Sequence, residues 1–392
     1  MDIVRVDEFG GPEVLRVRQA DDPVAGPGQV VIGVAAVDVM SLDAQLRTGW
    51  GKEWFGHRPP FVPGTGVTGT VLTTGDGVDA SWAGRRVAAL LPGGGYAGQV
   101  AAPLESVVPV PDDVPLVDAA ALLQVGPAAL SLVDAAGLAP GTRVLVTGAG
   151  GGLGLVLVEL AARAGAHVTA AARGAAKRAR ALELGAAEAI GYLDGDGGPR
   201  FDVVFDGVGG PVGSAASKHV APGGVFFAYG VPSGSFAEAD DGVKVVGIEQ
   251  VQFTPEELGR LVARTFGAGL TPTVGLAVPL DRAAEAHAAL EARELVGKAV
   301  LLATSRAVRY TEYGDAGVLR VVGAPIPRPG PGQVRVRVRA AGVNAIDWKL
   351  RAGLMGTPLT GPTGTGLEMA GVVDGLGKGS PGSCRATRSS GG

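Results

Sequence analysis

A run of small residues over 147–154 has the composition and spacing of a phosphate-binding turn. It reads Thr147-Gly148-Ala149-Gly150-Gly151-Gly152-Leu153-Gly154, and it joins a short apolar strand to an apolar helix predicted over Leu153–Ala164. Small residues let the backbone turn tightly beside a pyrophosphate, and the first N–H groups of a helix attract negative charge. The run therefore predicts a dinucleotide site; an ordinary tight turn is the alternative in a chain with 66 glycines.

The end of the next predicted strand indicates which dinucleotide the site would hold. An NAD site usually has an acidic side chain there for the ribose hydroxyls, but no Asp or Glu occurs between Glu159 and Glu183. Arg173, Lys177 and Arg178 occur instead, and cationic side chains suit a 2′-phosphate. We therefore expect NADPH rather than NADH, with a solvated basic helix start as the alternative.

The sequence offers few groups for other kinds of chemistry. Cys384 is its one cysteine, which excludes an intrachain disulfide and a zinc site of several thiolates, and its four histidines are far apart along the chain. No Ser/His/Asp or Cys/His arrangement is recognisable, so nucleophilic catalysis has no support. We expect no metal site.

Composition is typical of a globular protein. The 34 basic and 38 acidic side chains give a net charge of −4, which argues against a nucleic-acid partner. The 46% hydrophobic content is too high for a disordered chain. The N-terminus carries Asp2, Asp7 and Glu8 in place of a basic leader, and no apolar stretch reaches the ~18 residues of a membrane span. We expect a cytoplasmic protein without a membrane partner.

Two patterns of secondary structure position these residues. Residues 1–116 contain short alternating segments separated by Gly and Pro turns, which is typical of an antiparallel β domain. Strands and apolar helices alternate over 117–266, which predicts βαβ units and a parallel sheet. Residues 267–303 are expected to return to the first domain. The predicted fold class is α/β.

The sequence begins to repeat itself after one complete unit. A shift of 304 residues aligns Val4–Gly49 with Val308–Gly353 without a gap, and 22 of the 46 positions are identical. Turn and polar residues coincide as well as apolar ones, which disfavours chance. The likeness resumes after an indel, where Gly69 corresponds to Gly371. We therefore expect 304–379 to be a truncated repeat of the N-terminal domain, without a nucleotide turn of its own.

Residues 380–392 lose this likeness. Reading the gene one base earlier after Gly379 permits a sequence that continues the repeat, so we interpret the tail as the product of a frameshift in the gene or in the recorded sequence. Coincidence through codon freedom is the alternative. A Ser- and Gly-rich end of this kind is expected to be disordered.

In their order along the chain, the motifs of the first unit resemble the medium-chain dehydrogenase/reductases, in the zinc-independent quinone oxidoreductase-like branch. The resemblance restarts over 307–379, and in the first unit it is carried by Glu8–Leu15, Pro27–Val30, Gly94–Ala97, Gly148–Gly154, Leu184–Ala186, Asp202–Gly209 and Gly297–Leu301. It implies a GroES-like β domain joined to a Rossmann doubly wound parallel sheet, with NADPH in the cleft. It also implies hydride transfer to a small-molecule quinone or α,β-unsaturated carbonyl (enone), usually in a homodimer.

The resemblance assigns cofactor contacts residue by residue. The implied contacts are Gly148, Ala149, Gly151, Gly152, Leu153 and Gly154 for the pyrophosphate, Arg173 and Lys177 for the 2′-phosphate, Tyr192 near the adenosine, and Val208, Gly209, Tyr229 and Gly230 along the remaining path. A core position at a strand end is the alternative for the tyrosine at 192. Packing alone is the alternative for the valine and the glycines.

Met40 is the first candidate residue of the substrate pocket. The family often has Asn at this position, which the repeat retains as Asn344, and it commonly has Thr where this chain has Pro127. A thioether and a proline ring donate no hydrogen bond, so the resemblance implies an unusually apolar pocket. The alternative is neutral drift in a pocket that never used those groups.

Asp43 and Tyr96 are the other candidates on the substrate side. Asp43 recurs as Asp347, and it is more typical of a local structural acid than of a proton donor. Tyr96 and Tyr229 are the phenols available to donate a proton to the reduced substrate, with a buried core role as the alternative for each.

A non-enzymatic NADPH-binding sensor or scaffold is the alternative function. The side chains at Met40 and Pro127 favour it slightly, while the glycine turn is compatible with both functions. Cofactor binding without reduction of an acceptor would distinguish the two.

Overall fold

The N-terminal part of the chain forms an antiparallel sheet. The computed structural model describes residues 1–193, 197–325, 327, 329–356, 358–359, 361–376 and 380. The first elements are β1 (Asp2–Val6), β2 (Leu15–Gln19), β3 (Gln29–Val39), α1 (Ser41–Arg47), α2 (Lys52–Phe55), β4 (Gly66–Thr74), β5 (Arg86–Leu90), β6 (Gln99–Pro103) and β7 (Val107–Pro109). Strand β3 pairs with both β4 and β6, whereas β5 and β7 lie beyond β4. Strands β1 and β2 pair with each other beside this sheet.

A six-stranded parallel sheet follows. Its elements, with the helices before and between its strands, are α3 (Leu116–Leu122), α4 (Val125–Ala136), β8 (Arg143–Thr147), α5 (Gly152–Arg163), β9 (His167–Ala171), α6 (Ala175–Glu183), β10 (Glu188–Ile190), β11 (Phe201–Asp206), α7 (Gly210–Ser217), β12 (Val220–Ala228), β13 (Lys244–Val246) and α8 (Pro255–Gly267). The strand order is β10-β9-β8-β11-β12-β13. The order therefore reverses between β8 and β11, where doubly wound sheets form a ligand-binding crevice at their carboxyl ends.

The chain then returns to the antiparallel sheet through β14 (Val274–Pro279), α9 (Ala283–Glu291) and β15 (Lys298–Leu302). Strand β15 pairs antiparallel with β3, so that Ala299 lies opposite Val39, and β14 lies at the edge of the sheet, where it runs parallel to β15. The predicted α/β class, with one mainly antiparallel sheet and one doubly wound parallel sheet, is confirmed.

Helices α3 and α8 join the two sheets. Leu116 and Leu123 from the α3 region pack with Val262 and Phe266 of α8 against Ala88 of β5, and all five side chains are buried. Burial of this apolar surface holds the antiparallel sheet against the helices of the parallel one.

No single helix among the described residues is long and apolar enough to span a membrane. Helices α3 and α4 meet those criteria only when they are taken together, and they are bent by 48° where they join.

A tight turn connects β8 to α5. Gly148 adopts a left-handed conformation with φ of 64°, which glycine reaches without steric cost. A Cβ on Gly154 would overlap the carbonyl oxygen of Gly148 and lie 2.8 Å from the Cα of Ala149. The start of the helix can therefore approach the end of the strand only with glycine at 154.

Residues 304–376 repeat the start of the antiparallel domain. The elements are β16 (Thr304–Tyr310), β17 (Arg320–Pro325), β18 (Val334–Ala341), α10 (Ala345–Arg351), β19 (Thr363–Gly364) and β20 (Met369–Leu376). Val4 lies opposite Val17 in the β1–β2 pair, and Val308 lies opposite Val321 in the β16–β17 pair. The offset of 304 residues found in the sequence is therefore also the structural offset.

The second strand pair repeats its register as well. Val34 lies opposite Gly69 between β3 and β4, and Val338 lies opposite Gly371 between β18 and β20. Both pairs have an irregularity directly after this position, and another near the start of the first strand. The offset is thus 304 residues on the first strand and 302 on the second, because of the indel between them.

This second unit buries little of its apolar surface. Strand β3 pairs with β4, β6 and β15, whereas β18 pairs within the described residues with β20 alone. Val338 is 53% exposed and Leu354 65%, while Tyr310 and Asp347 are the buried residues among the described side chains of 304–376. Apart from Ser380, whose hydroxyl donates to the Gln333 carbonyl at 2.8 Å, the predicted disordered tail lies outside the described residues.

We predict that Gly154→Ala destabilises the protein by about 1–3 kcal/mol, because the added methyl group meets backbone atoms that cannot move without opening the turn. Thermal unfolding followed by circular dichroism measures the effect as a lower Tm. Gly259→Ala in α8 is the matched control, since nothing lies within 4 Å of its added Cβ, and its Tm should stay level or rise slightly. A wild-type Tm for Gly154→Ala would contradict the close approach.

We also predict that trypsin cleaves residues 304–376 before the first unit, because open strand edges and low burial reduce the free energy of local unfolding. A time course followed by intact-mass spectrometry should show early cuts after Arg309 and Arg320 and a persistent fragment near 1–303. The matched control sites are Arg5 and Arg16, which occupy the equivalent positions in β1 and β2. Equal resistance of the two units would contradict the prediction.

Candidate functional site

A buried carboxylate ties together the carboxyl ends of the two central parallel strands. The Thr147 hydroxyl at the end of β8 donates to Oδ1 of Asp206 at the end of β11, at 2.5 Å. The same carboxylate accepts the N–H groups of Val208 at 3.2 Å and Gly209 at 3.0 Å. Burial raises the pKa of Asp206, and these three donors oppose the rise. The floor of the crevice between β8 and β11 is therefore fixed by hydrogen bonds.

The glycine turn on the β8 side leads into the first turn of α5, and within it the N–H groups of Ala149 and Gly151 donate to the carbonyls of Ala171 and Gly148. Helix α5 begins at Gly152, and Gly151 before it makes no side-chain cap bond, so the first N–H groups of the helix are not capped by that residue. Such N–H groups, at the positive end of the helix dipole, suit a phosphate. The predicted residues Gly148, Ala149 and Leu153 belong to the same turn.

A segment of the returning chain covers this turn. The N–H of Gly297 donates to the Gly150 carbonyl at 2.9 Å, and the Lys177 ammonium donates to the Arg293 carbonyl at 2.5 Å. Arg293 has a φ of 57°, and its guanidinium donates to the Pro232 carbonyl at 2.8 Å. Lys177 is therefore held beside the turn. Burial, aided by the charge of a neighbouring arginine, lowers its pKa.

Arg173 and Tyr192 form the border of the site on the β9–β10 side. The guanidinium carbon of Arg173 lies 5.6 Å from the centre of the Tyr192 ring, within cation–π range. Arg173 is exposed, whereas Tyr192 is partly buried, and burial raises the pKa of its phenol. The sequence predicted these two residues and Lys177 as the 2′-phosphate and adenosine contacts, and the structure places all three near the carboxyl ends of adjacent strands.

The remaining predicted cofactor residues lie after β11 and β12. The N–H of Gly230 donates to the Asp206 carbonyl at 3.0 Å, and a Cβ on Gly209 would lie 2.5 Å from the Gly230 carbonyl oxygen. The hydroxyl of Tyr229 is buried over Gly207 without a hydrogen-bond partner among the described residues. Burial raises the pKa of this phenol above its ordinary value. The site therefore contains a free buried donor on this side.

The antiparallel sheet contributes a buried ion pair. The Lys298 ammonium at the start of β15 lies 2.5 Å from Oδ1 of Asp38, and both side chains are buried. The ammonium also donates to the Val39 carbonyl at 3.0 Å and lies 3.1 Å from Sδ of Met40. The Gln124 amide donates to the other Asp38 oxygen at 3.1 Å. Burial raises the pKa of Asp38, while the ammonium opposes the rise.

Asp43 fixes the loop that carries Met40. Its carboxylate accepts the N–H of Met40 at 2.8 Å and the N–H of Gly64 at 3.1 Å. Burial, together with the charge of Asp38, raises the Asp43 pKa to about 6. Asp347 makes the equivalent bonds in the repeat, at 2.7 and 3.0 Å. This geometry agrees with a local structural acid, one of the two roles that the sequence left open.

Tyr96 lies in the core of the antiparallel domain. Its hydroxyl is 2.8 Å from Nε2 of His287 on α9, and its ring packs against Gly64. Burial and the carboxylate of Asp43 raise the Tyr96 pKa well above its ordinary value. Burial and the charge of Arg47 lower the His287 pKa to about 3, so the imidazole is neutral at pH 7. The pair links the loop at 64 to α9.

The structure thus places the predicted cofactor residues around one edge of the parallel sheet and brings Met40 to the same region through Lys298. Sequence reasoning missed the roles of Asp38, Gln124, Asp206 and Arg293. Two signals in the sequence could have identified the ion pair. Lys298 belongs to the Gly297–Leu301 motif, to which no role was assigned, and Asp38 stands where the repeat has Gly342. The described residues contain no group of three or more His, Cys, Asp or Glu that could hold a metal.

Two protein families match the chain in sequence. Residues 26–112 and again 330–387 match the alcohol dehydrogenase GroES-like domain, so both copies of the repeat are recognised. Residues 184–301 match the family described as zinc-binding dehydrogenase. The first match lies on the antiparallel domain and its repeat, and the second lies on β10–β13 of the parallel sheet and on the returning segment.

Relatives and solved structures match about three quarters of this chain over nearly their own whole length. A probable quinone oxidoreductase of Schizosaccharomyces pombe is 31% identical over 323 residues, covering 76% of this chain and 96% of that protein. A 2-haloacrylate reductase of a Burkholderia species is 30% identical, covering 76% and 97%. A mycobacterial protein solved with NADPH is 31% identical with a TM-score of 0.70, covering 77% and 100%. The chain therefore belongs to the medium-chain dehydrogenase/reductases, in their quinone oxidoreductase-like branch.

Proposed function

We propose that the protein is an NADPH-dependent oxidoreductase that reduces a quinone or an α,β-unsaturated carbonyl compound. The observation that carries the proposal is the glycine turn that leads into α5 at the switch point of the parallel sheet, bordered by Arg173 and Lys177. The named activities of the relatives, on quinones and on a haloacrylate, are reductions of conjugated acceptors.

The chain's own residues fit NADPH. The N–H groups of the first turn of α5 would hold the pyrophosphate, and Arg173 with Lys177 would hold the 2′-phosphate. Tyr192 offers a flat ring beside Arg173 for the adenosine half. The buried hydroxyl of Tyr229, which has no hydrogen-bond partner in the part of the chain that the structure describes, offers a donor farther along the path.

The bound cofactor supplies a hydride, and the protein orients the two reactants and excludes water. We propose that Met40 and Pro127 provide an apolar wall for the acceptor, and that Asp43 keeps Met40 in place through its backbone N–H. When bound, NADPH would supply the hydride for the β-carbon of an enone or for a quinone ring, and water or a nearby hydroxyl would supply the proton for the enolate or phenolate. Tyr96 acts in this proposal by holding the loop at Gly64.

We propose domain boundaries near the ends of the elements. The first domain would comprise 1–116, the NADPH-binding domain 117–266, the returning part 267–303 and the truncated repeat 304–379, with 380–392 as its tail. The register shared by the β1–β2 and β16–β17 pairs supports the repeat. We further propose a cytoplasmic homodimer that binds no nucleic acid.

We predict that Arg173→Ala weakens NADPH binding about 10-fold and leaves NADH binding nearly unchanged, because only NADPH carries the 2′-phosphate that a guanidinium would bind. Fluorescence titration with each nucleotide measures the two dissociation constants. Arg180→Ala is the matched control, because Arg180 lies on α6, which follows the segment that carries Arg173, and its guanidinium donates to Thr273 and Glu183. An equal loss for both nucleotides would contradict a role in binding the 2′-phosphate.

Steady-state oxidation of NADPH with a panel of quinones and enones tests the activity itself. We expect turnover with at least one conjugated acceptor, and faster turnover for acceptors with apolar substituents, because the Met40 and Pro127 side chains offer apolar surface. NADPH binding without turnover of any acceptor would refute the enzyme and support the non-enzymatic NADPH-binding sensor or scaffold.

A further inference from the structure

The two copies of the antiparallel domain place an acid and a glycine at the same cross-strand position, but on opposite strands. In the first copy Asp38 of β3 lies opposite Gly66 of β4. With the offsets of 304 and 302 residues, their counterparts are Gly342 and Glu368. These two are also neighbours, because the N–H of Gly342 donates to the Glu368 carbonyl at 3.2 Å.

In each copy, the space between these two opposite residues holds one acidic side chain. A Cβ on Gly342 would lie 2.6 Å from Oε2 of Glu368, so the glutamate of the repeat covers its glycine. In the first copy a Cβ on Gly66 would lie 3.3 Å from the Cβ of Asp38 and 3.1 Å from Nε2 of Gln124. The acid therefore lies on the first strand in one copy and on the second strand in the other, and in each copy the residue opposite the acid is a glycine.

The carboxylate of Asp38 in the first copy has a cationic partner, the ammonium of Lys298. Strand β15 pairs with β3 on the side away from β4 and begins with Lys298, which is 6% exposed and whose ammonium lies 2.5 Å from Asp38. A Cβ on Gly152 would overlap the Lys298 side chain, so its stem lies against the first residue of α5. The ammonium itself lies 3.1 Å from Sδ of Met40.

We propose that Asp38 is a positioning residue that holds the Lys298 ammonium between the glycine turn and Met40. An acidic side chain at the opposite position, residue 66 on β4, can hold the ammonium in the same way. The inference rests on the proposed NADPH-dependent activity. An ammonium fixed between the glycine turn and Met40 stabilises the negative charge that develops on the acceptor, and it does not need to move during the reaction. Without the carboxylate, the flexible lysine stem no longer holds the ammonium at one place.

Relocation of the carboxylate tests the proposal. Asp38→Gly should lower kcat/KM by about 10- to 100-fold, as expected when a group at the site is misplaced. Adding Gly66→Glu to this variant recreates the arrangement of the repeat and should restore most of the activity and the Tm. Gly66→Glu alone should lower both, because it adds a second buried acid beside Asp38. Asp38→Asn, which keeps the shape and removes the charge, replaces Asp38→Gly if that variant does not fold.

A second pair of variants separates positioning from stability. Asp38→Gly combined with Lys298→Met removes both charges, so its Tm should recover towards the wild-type value while its activity stays low. Wild-type activity in this double variant would overturn the proposal, and so would recovery of Tm without activity in the relocated variant. Absence of turnover in the wild-type protein would instead refute the proposed function, so the two failures are distinguishable.

Discussion

The pairing of β15 with β3 determines which side chains meet at the candidate site. Lys298 and Val39 are separated by 259 residues, yet the register brings the Lys298 ammonium to the Val39 carbonyl. The same returning segment delivers Gly297 and Arg293 to the glycine turn and to Lys177. Closing so long a loop costs conformational entropy, which the burial of β15 between β3 and β14 offsets. The position of the loop at Val39 and Met40 relative to the glycine turn thus depends on the pairing of β15 with β3.

This arrangement gathers ionisable groups in a buried place. Asp38 and Asp43 are both buried, and the charge of Asp38 contributes to the raised pKa of Asp43, which reaches about 6. Each carboxylate has donors that compensate its desolvation: Lys298 and Gln124 for the first, two backbone N–H groups for the second. A buried charge is costly mainly when its partner is removed. The groups around Met40 therefore hold one another in place.

Sequence patterns predicted the parts of the molecule that local rules determine. The glycine turn and the alternation of strands and helices both depend on neighbours within one βαβ unit. The ion pair between Asp38 and Lys298 was missed because it depends on the register of two strands far apart in the sequence. The bond between Tyr96 and His287 was missed for the same reason. Such contacts follow from tertiary packing, which spacing along the chain does not reveal.

Comparison of the two copies shows which features of a strand come from its own sequence and which come from the strands beside it. Strand pairs in both copies share register and irregularities, and Asp347 holds its loop as Asp43 does, so these features come from the local sequence. Burial does not: the valine at 34 is buried, whereas its counterpart at 338 is 53% exposed, because β3 has β6 and β15 beside it as well as β4. Local sequence therefore specifies the shape of this domain, and the strands that follow supply the burial that stabilises it.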